Sequence, residues 1–306
     1  MSSLAPIALF AYSRPDHLRR VSEALARNPE ASASRLFVYS DAPKNSAAAG
    51  AVAQVRALAR GISGFAAVEL VERESNQGVA KSIIEGVSSL TARFGRVIVL
   101  EDDLLPSEHF LAYMNGALDL YENANEVASV AGYCFPVAAP LPDTFFVRGA
   151  DCWGWATWAR AWAEFEPSGE KLLGELRRRV LEREFDFDGS YPYTHMLEEQ
   201  IQGRNDSWAV RWYASAFLRG RLTLYPRSSQ IQNIGADGSG VHVTKTNSFH
   251  HTAWGAPVSL ETIPTQECVA GRRAFAMGLR GSTMSLAQRV LSRIARLASP
   301  LVRGER

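Results

Sequence analysis

Short apolar runs and amphipathic stretches alternate along the first third of the chain. The apolar runs predict strands at 6–12, 35–39, 68–72 and 96–100. The stretches with helical spacing predict helices at 16–27, 47–60 and 79–94. This order predicts an α/β fold, in which a mostly parallel central sheet is covered by helices on both faces.

Polar residues follow each of the predicted strands. These strand ends are Tyr12-Ser13-Arg14, Ser40-Asp41, Asn76-Gln77-Gly78 and Glu101-Asp102-Asp103. Ligands of such sheets gather beyond the carboxyl ends of the strands, so these residues are expected to face one cleft.

The acidic end of the fourth strand, in RVIVLEDDLLPSEHF, has two interpretations. Adjacent carboxylates repel one another, and a fold tolerates them where water, a helix N-terminus or a cation offsets their charge. A helix starting near Pro106 and Ser107 and running to about Tyr121 would favour acids close to its N-terminus. Metal binding is the alternative, and the motif alone leaves both open.

From about residue 127 the pattern changes to shorter strands and turns. The stretch FFVRGADCWGWATWARAW is dense in aromatic residues, and at least Trp158 or Trp162 is expected in the core. A charged helical segment is predicted at 168–185, a helix near 211–219 and a strand near 223–225. No internal repeat or long linker interrupts the chain, so one continuous domain is predicted over 1–255.

Residues 256–306 are predicted to form a C-terminal extension. In SLAQRVLSRIARLASPLVR, aliphatic side chains recur at helical spacing beside arginines, without any acid, which indicates a basic amphipathic helix at 285–303. Such a helix binds the surface of an anionic membrane or packs its apolar stripe on the domain. The sequence leaves both open.

Composition narrows the functional classes. Of the 306 residues, 46% are hydrophobic and 21% charged, and the net charge of +1 provides no general attraction for nucleic acid. Three scattered cysteines, Cys134, Cys152 and Cys268, suit neither a disulfide framework nor a zinc cluster, which favours a reducing compartment. The N-terminus lacks a signal-peptide pattern and no run of about 20 apolar residues occurs, so a cytoplasmic location is predicted.

Two nucleotide-binding signatures are missing from the sequence. No G-x-G-x-x-G follows the first strand, where the turn reads AYSRPDH, and no G-x-x-x-x-G-K-[ST] occurs. Nicotinamide, methyl-donor and P-loop sites are therefore disfavoured.

The segment VIVLEDDLLPSEHFLAYM resembles the Glu-Asp-Asp version of the Asp-x-Asp motif in glycosyltransferases of the GT-A fold. The resemblance is to the N-acetylglucosaminyltransferase I family and related bacterial polysaccharide glycosyltransferases, and it covers roughly residues 5 to 245. It implies a Rossmann-like fold with a nucleotide-binding half at 1–126 and a donor-sugar and acceptor half at 127–255. It also implies that Asp103 binds Mn²⁺ or Mg²⁺, that Asp102 faces the ribose or a metal-bound water, and that Glu101 faces the donor sugar.

Further site residues follow from the same resemblance. AYSRPDH and VYSDAPK resemble nucleoside-binding edges, which implies that Arg14 and Asp41 read the base and ribose. ESNQGVAKS resembles the segment after the third strand, where Asn76 and Lys81 would approach the nucleotide. FFVRGADCWGWATW resembles the floor of the donor-sugar site, with candidates Trp153, Gly154, Trp155 and Trp158.

The remaining candidates concern proton transfer and the metal. GRNDSWAVRWYAS resembles the Asp-Asp-Trp stretch that carries the general base of inverting enzymes, which implies Asp206, with Glu198 and Glu199 as fallbacks because the register is open by one residue. His242, in GADGSGVH, is a second candidate metal ligand because several enzymes of this fold recruit a C-terminal histidine.

These features together predict a metal-dependent inverting glycosyltransferase. It would move a sugar from a nucleotide-sugar donor, with UDP expected by resemblance, to a carbohydrate or glycolipid acceptor in bacterial surface polysaccharide biosynthesis. A peripheral position on the inner face of the membrane, through residues 285–303, stays open. The alternatives are a metal-dependent nucleotide-diphosphate-sugar hydrolase and a non-catalytic carbohydrate-binding protein.

Overall fold

The computed structural model describes residues 4–136, 140–235 and 254–282. The strands are β1 Ile7–Ala11, β2 Arg35–Ser40, β3 Ala67–Glu72, β4 Arg96–Glu101, β5 Leu104–Pro106, β6 Val127–Ala131, β7 Thr144–Arg148, β8 Trp155–Trp158, β9 Leu222–Pro226 and β10 Ile231–Asn233. The helices are α1 Pro15–Ala26, α2 Ser46–Arg60, α3 Val79–Phe94, α4 Phe110–Leu120, α5 Ala159–Trp162, α6 Gly169–Arg178, α7 Glu182–Phe185, α8 Tyr193–Ile201, α9 Trp208–Leu218 and α10 Val269–Ser282.

Eight of the strands form one sheet in the order β3-β2-β1-β4-β8-β6-β9-β7. The pairs along β3-β2-β1-β4 are parallel, as is β6-β9, whereas β8 runs antiparallel to both of its neighbours and β7 runs antiparallel to β9. The predicted α/β class with a mostly parallel sheet is confirmed. Because β8 runs the opposite way, its beginning lies at the edge where β4 ends.

Helices cover both faces of the sheet because alternate residues of each central strand point to opposite sides. In β1, Ile7 and Leu9 pack in the same apolar cluster as Leu18 of α1 and Met114 of α4. Ala8 and Phe10, which alternate with them, pack in a second cluster, formed with α3 and α9. This two-sided burial is the reason that the strands read as continuous apolar runs.

The acidic motif is followed by a strand, which corrects the helix predicted from Pro106. Residues 104–106 form β5, which pairs antiparallel with β10, and α4 begins only at Phe110. Glu101, Asp102 and Asp103 therefore stand outside the first turn of α4. The interpretation of the three acids as a helix-start signal is wrong.

Two further element boundaries differ from the sequence-based ones. The segment predicted as helical over 168–185 is divided into α6 and α7, and Val180 between them has a positive φ of 54°. Helix α9 starts at Trp208, earlier than predicted, because the Ser207 hydroxyl accepts the Val210 N–H and caps it. Both Trp158 and Trp162 are buried, as expected of core residues.

The described part of the C-terminal extension packs on the domain. Phe275 of α10 contacts the rings of Phe145 and Tyr225, and the Cys268 N–H donates to the Phe146 carbonyl at 2.8 Å. The predicted basic helix at 285–303 lies outside the described residues. Within the described ranges, every helix is too short or too polar to cross a bilayer, and the three cysteines are free thiols.

Candidate active site

The end of β4 places the three acids beside the first loop of the sheet. The Asp102 N–H donates to the Phe10 carbonyl at 2.9 Å, which continues the pairing of β4 with β1. The Asp102 side chain points back into the protein, is 2% exposed and accepts the Tyr12 N–H at 3.3 Å. Burial raises the pKa of Asp102 to about 6, although its hydrogen bonds to Arg14 and Tyr12 oppose this rise. The charge of the buried Asp102 carboxylate is therefore stabilised by Arg14 and by the Tyr12 N–H.

Arg14 bridges two of the acids. Its Nη2 donates to Asp102, and its Nη1 lies 3.0 Å from Asp103 Oδ2. Burial works against the charge of the guanidinium, but the two carboxylates raise the pKa of Arg14 above its ordinary value. The backbone carbonyl of Arg14 accepts the Leu18 N–H at 3.1 Å, and Pro15 opens α1 directly after it. The side chain therefore projects from a fixed helix start toward β4.

Asp103 is the more accessible of these two carboxylates, with its side chain 18% exposed. The segment that follows β10 lies against Asp103, because the Ile234 N–H donates to the Asp103 carbonyl at 2.8 Å. A β carbon on Gly235 would lie 2.3 Å from Asp103 Oδ2, so any larger residue here would displace the Asp103 side chain. Gly235 was not among the predicted site residues, although it lies in the glycine-rich segment GADGSGVH.

Glu101 is partly buried within the same acidic group. Burial, followed by repulsion from Asp103 and Asp102, raises its pKa to about 8. Cys152 lies close enough to feel the same charges. Its thiol pKa is raised first by burial and then by Asp151, Glu101 and Asp103. The loop before β8 therefore lies beside the acidic motif, as the reversed direction of β8 requires.

Of the four candidates for the floor of the sugar site, Trp153 and Gly154 belong to this loop, whereas Trp155 and Trp158 belong to β8. The Trp153 ring packs edge-on against Tyr133 at 4.7 Å between centroids and is partly exposed. Gly154 has a φ of 62°, and a β carbon there would lie 2.5 Å from Ile231. The backbone N–H groups of Trp153 and Cys152 donate to the Asp151 carboxylate. Asp151 was not among the predicted residues.

Trp155 belongs to the core, which corrects its assignment to the sugar site. The side chain is 0% exposed and stands in β8 opposite Val99. Its ring stacks on Trp208 at 5.5 Å and lies against Trp162 and Trp212. A ring enclosed in this way has no face left for a sugar.

Asp41 organises the loop between β3 and α3. One oxygen accepts the N–H groups of Ala42 at 2.8 Å and Gln77 at 2.9 Å, and the other accepts those of Gly78 at 2.8 Å and Gln77 at 3.0 Å. These contacts occupy the four lone-pair positions of the carboxylate. We therefore expect Asp41 to act through this turn, and not by direct contact with a nucleoside.

The two other nucleotide candidates stand on either side of that turn. The Asn76 amide donates to the Ala42 carbonyl at 2.7 Å, which ties the turn to the end of β2. Lys81 is largely exposed on α3, 3.8 Å from Glu85 of the next turn. Asn76 thus lies at the strand-end edge of the sheet, whereas Lys81 is directed along the helix surface.

Asp206 approaches the same turn from the second half of the chain. Its Oδ2 lies 3.7 Å from the β-carbon position of Gly78, at the start of α3. The side chain is 64% exposed and has an ion-pair contact with Arg211 at 3.6 Å. The fold thus places Asp206, which is remote in sequence, at the edge of the sheet where the parallel strands end.

The fallback bases stand elsewhere on the surface. Glu198 of α8 pairs with Arg177 of α6 at 2.6 Å, and Glu199 pairs with Arg204 at 3.6 Å. Both also lie within 3.6 Å of His195. Their partners belong to neither the acidic motif nor the turn at 76–78.

The predicted metal site depends on which side chains can act as ligands beside the acidic motif. In the described ranges, no group of three or more histidine, cysteine, aspartate or glutamate side chains is arranged to hold a metal ion, and His242 lies outside these ranges. Asp103 nevertheless offers one accessible carboxylate, to which the Arg14 cation is already attracted. Mg²⁺-type cations commonly use one or two carboxylates and complete their shell with water and substrate phosphates. Asp103 fits a site of that kind.

No protein-family model and no curated protein matches the chain. Among solved structures, it is similar to the mannosyltransferase PcManGT from Pyrobaculum calidifontis in complex with GDP-Man and Mn²⁺, with 14% identity and a TM-score of 0.33 over 56% of this chain and 46% of that one. It is also similar to TarS from S. aureus, with 9% identity and a TM-score of 0.40 over 76% and 61% of the two chains.

A third similar structure is mannose-1-phosphate geranyltransferase from Thermus thermophilus, with 16% identity and a TM-score of 0.35 over 75% of each chain. The chain spans less than two thirds of the length of the first two structures. Similarities this weak do not indicate what the chain binds or does. The chemistry of this chain therefore has to be inferred from its own residues.

Proposed function

We propose that the chain is a metal-dependent glycosyltransferase of the GT-A type. The observation that carries the proposal is that two acids with exposed oxygen atoms lie at the strand-end edge of the sheet. Asp103 follows the end of β4, and Asp206, in the segment between α8 and α9, lies beside the start of α3 and the turn that follows β3. A transferase needs one group for the leaving diphosphate and a separate one for the acceptor, and these acids supply both.

More specifically, we propose an inverting transfer from a UDP-sugar to a carbohydrate or glycolipid acceptor. The Asp206 carboxylate takes the proton of the acceptor hydroxyl while that oxygen forms a bond to the sugar C1. The bond from C1 to the diphosphate oxygen breaks on the opposite side, and the nucleoside diphosphate leaves. A Mn²⁺ or Mg²⁺ ion at Asp103 would offset the charge that develops on the diphosphate.

The positions of the other residues support this division of roles. Asp206 is exposed and has a loose ion pair, so it remains accessible to an acceptor. Asn205 accepts the Ser207 N–H at 3.0 Å through its side chain, which fixes the backbone on either side of Asp206. Trp153 and Gly154 border the acidic motif through their loop, where the donor sugar is proposed to lie. The role in surface polysaccharide synthesis, and UDP as the nucleotide, rest on the sequence resemblance alone.

The test uses Asp103→Asn and Asp206→Asn in a transfer assay with UDP-sugars, Mn²⁺ and a panel of glycan acceptors. Asp103→Asn should lose metal-dependent turnover, whereas Asp206→Asn should bind the donor normally and lose transfer. Asp188→Asn is a matched control, because Asp188 is 54% exposed and also pairs with an arginine, Arg272, at 3.6 Å. Undiminished transfer by both site variants would refute the assignment.

Product analysis separates this proposal from hydrolysis and from simple glycan binding. A transferase forms a glycosylated product only when an acceptor is present. Release of free sugar at the same rate with and without acceptor would indicate a hydrolase. Glycan binding without any binding of a nucleotide sugar in the presence of Mn²⁺ would indicate a carbohydrate-binding protein.

A further inference from the structure

The two contacts of Arg14 are not equivalent. Asp102 is enclosed, and it accepts from the Tyr12 N–H as well as from Nη2 of Arg14. Asp103 is partly exposed, and Nη1 of Arg14 approaches the same Oδ2 that faces Gly235. The contact with Asp102 is therefore an anchor inside the protein, whereas the contact with Asp103 lies at the surface of the cleft.

A divalent cation bound at Asp103 would meet the guanidinium at the same carboxylate. Like charges a few ångströms apart repel strongly where protein shields them from water. Arg14 cannot withdraw through its backbone, because its carbonyl accepts from Leu18 and Pro15 begins α1. Relief has to come from the outer part of the side chain, by release of the Nη1 contact.

We propose that Arg14 is the internal counter-ion of the metal-free site. A divalent cation that binds Asp103 displaces the Nη1 contact of Arg14 with Asp103, whereas the Nη2 contact with Asp102 is kept. This inference rests on the proposed function, since it takes Asp103 as the metal ligand. Arg14 is then a positioning residue, which holds the Asp103 carboxylate at the cleft before the cation arrives. The released Nη1 remains a donor next to the site where the diphosphate is proposed to lie.

The proposal predicts the sign of a change in metal affinity. If Arg14 and the cation compete, removal of the guanidinium strengthens metal binding. If Arg14 instead helps to hold the metal site, its removal weakens metal binding. The experiment is calorimetric titration of the full chain with Mn²⁺ alone, and again with UDP present, in wild type, Arg14→Gln and Asp103→Asn.

Arg14→Gln should bind Mn²⁺ about fivefold more tightly than wild type or better, the lower end of ordinary coupling between two sites. Arg14→Lys keeps the charge but replaces the planar fork with a single ammonium, so its affinity should lie close to that of wild type. Arg19→Gln controls for the general loss of a positive charge from α1, because Arg19 is half exposed and pairs with Asp16 at 3.3 Å. It should leave the affinity unchanged.

A second measurement tests the proposal even if the Arg14→Gln variant does not fold. In the wild-type chain, the side-chain ¹⁵N signals of Arg14 should change when Mg²⁺, a diamagnetic substitute, is added, and Asp103→Asn should abolish this change. Arg14 signals that do not respond to a cation bound at Asp103 would overturn the proposal.

The outcomes separate the two proposals. Mn²⁺ binding that requires Asp103 and becomes tighter in Arg14→Gln supports both. Binding that requires Asp103 but stays equal or weakens in Arg14→Gln overturns the counter-ion role and leaves the proposed function standing. No Mn²⁺ binding by wild type, alone or with UDP, overturns the metal site and the inference together.

Discussion

Replacement of Asp41 by alanine should destabilise the protein, because this carboxylate connects the end of β2 to the start of α3. It accepts three backbone N–H groups, those of Ala42, Gln77 and Gly78, at 2.8 to 3.0 Å. Asp41 is also 8% exposed, so water cannot easily replace the lost acceptor. The perturbation therefore leaves donors near the start of a helix without their partner.

The magnitude follows from these contacts. Hydrogen bonds to a charged acceptor contribute roughly 1.5–3 kcal/mol each, so three donors give a gross upper limit of about 5–9 kcal/mol. The three donors share one carboxylate, so their contributions do not add in full, and we expect Asp41→Ala to lower the free energy of unfolding by about 3–4 kcal/mol. Asp41→Asn keeps one acceptor oxygen and should cost about half of that.

The assay is urea denaturation followed by tryptophan fluorescence, without metal or nucleotide. Asp143→Ala serves as a control, because this acid is 49% exposed and pairs with Arg227 at the surface, and it should change the free energy of unfolding by less than about 1 kcal/mol. If Asp41→Ala unfolded at the same urea concentration as wild type but lost nucleotide binding, the side chain would act on the ligand, as the sequence resemblance implied.

Three further predictions concern the edge of the sheet. Gly235→Ala should reduce Mn²⁺-dependent transfer about tenfold or more, because the new methyl group displaces the Asp103 carboxylate at a cost of about 1–3 kcal/mol; transfer at the wild-type rate would contradict this. Burial and the neighbouring acids raise the pKa of Glu101 from 4.5 to about 8, so the metal-free chain should lose stability as pH rises from 4.5 to 8. Glu101→Gln should flatten this pH dependence in urea titrations. If wild type and variant had parallel pH profiles, Glu101 would not be its source. Trp155→Ala should cost about 3–5 kcal/mol of unfolding free energy because the ring lies in the core, and a loss below about 1 kcal/mol would place that ring at a ligand surface.

The sequence predicted the parallel half of the fold because its signals are local. Strands buried on both faces are continuous apolar runs, and the helices between them have one apolar stripe each. The run 96–100 could therefore be assigned as a strand, and the polar residues after it could be placed at the ligand-binding edge. The structure has β4 at 96–101, with the acids at its end.

The rest of the site depends on contacts between distant segments. Strand β5 has three residues and forms only because β10, more than a hundred residues later, pairs with it. That pairing brings Gly235 onto Asp103. Asp41 gives the same lesson, since two of its donors, Gln77 and Gly78, come from a turn 36 and 37 residues away. A short apolar stretch or a lone acid does not encode such partners.

The acids at this edge differ in how far the fold already neutralises them, and this difference indicates which of them can react. Asp41 is saturated by backbone N–H groups. Asp102 is enclosed by Tyr12 and Arg14. Asp103 shares Arg14 and stays partly exposed, and Asp206 has a single loose ion pair in water. A carboxylate can bind a cation or accept a proton from an acceptor only with lone pairs that the protein has left available. The residue type is the same at all four positions, so this unequal neutralisation is the reason that we propose Asp103 as the metal ligand and Asp206 as the general base.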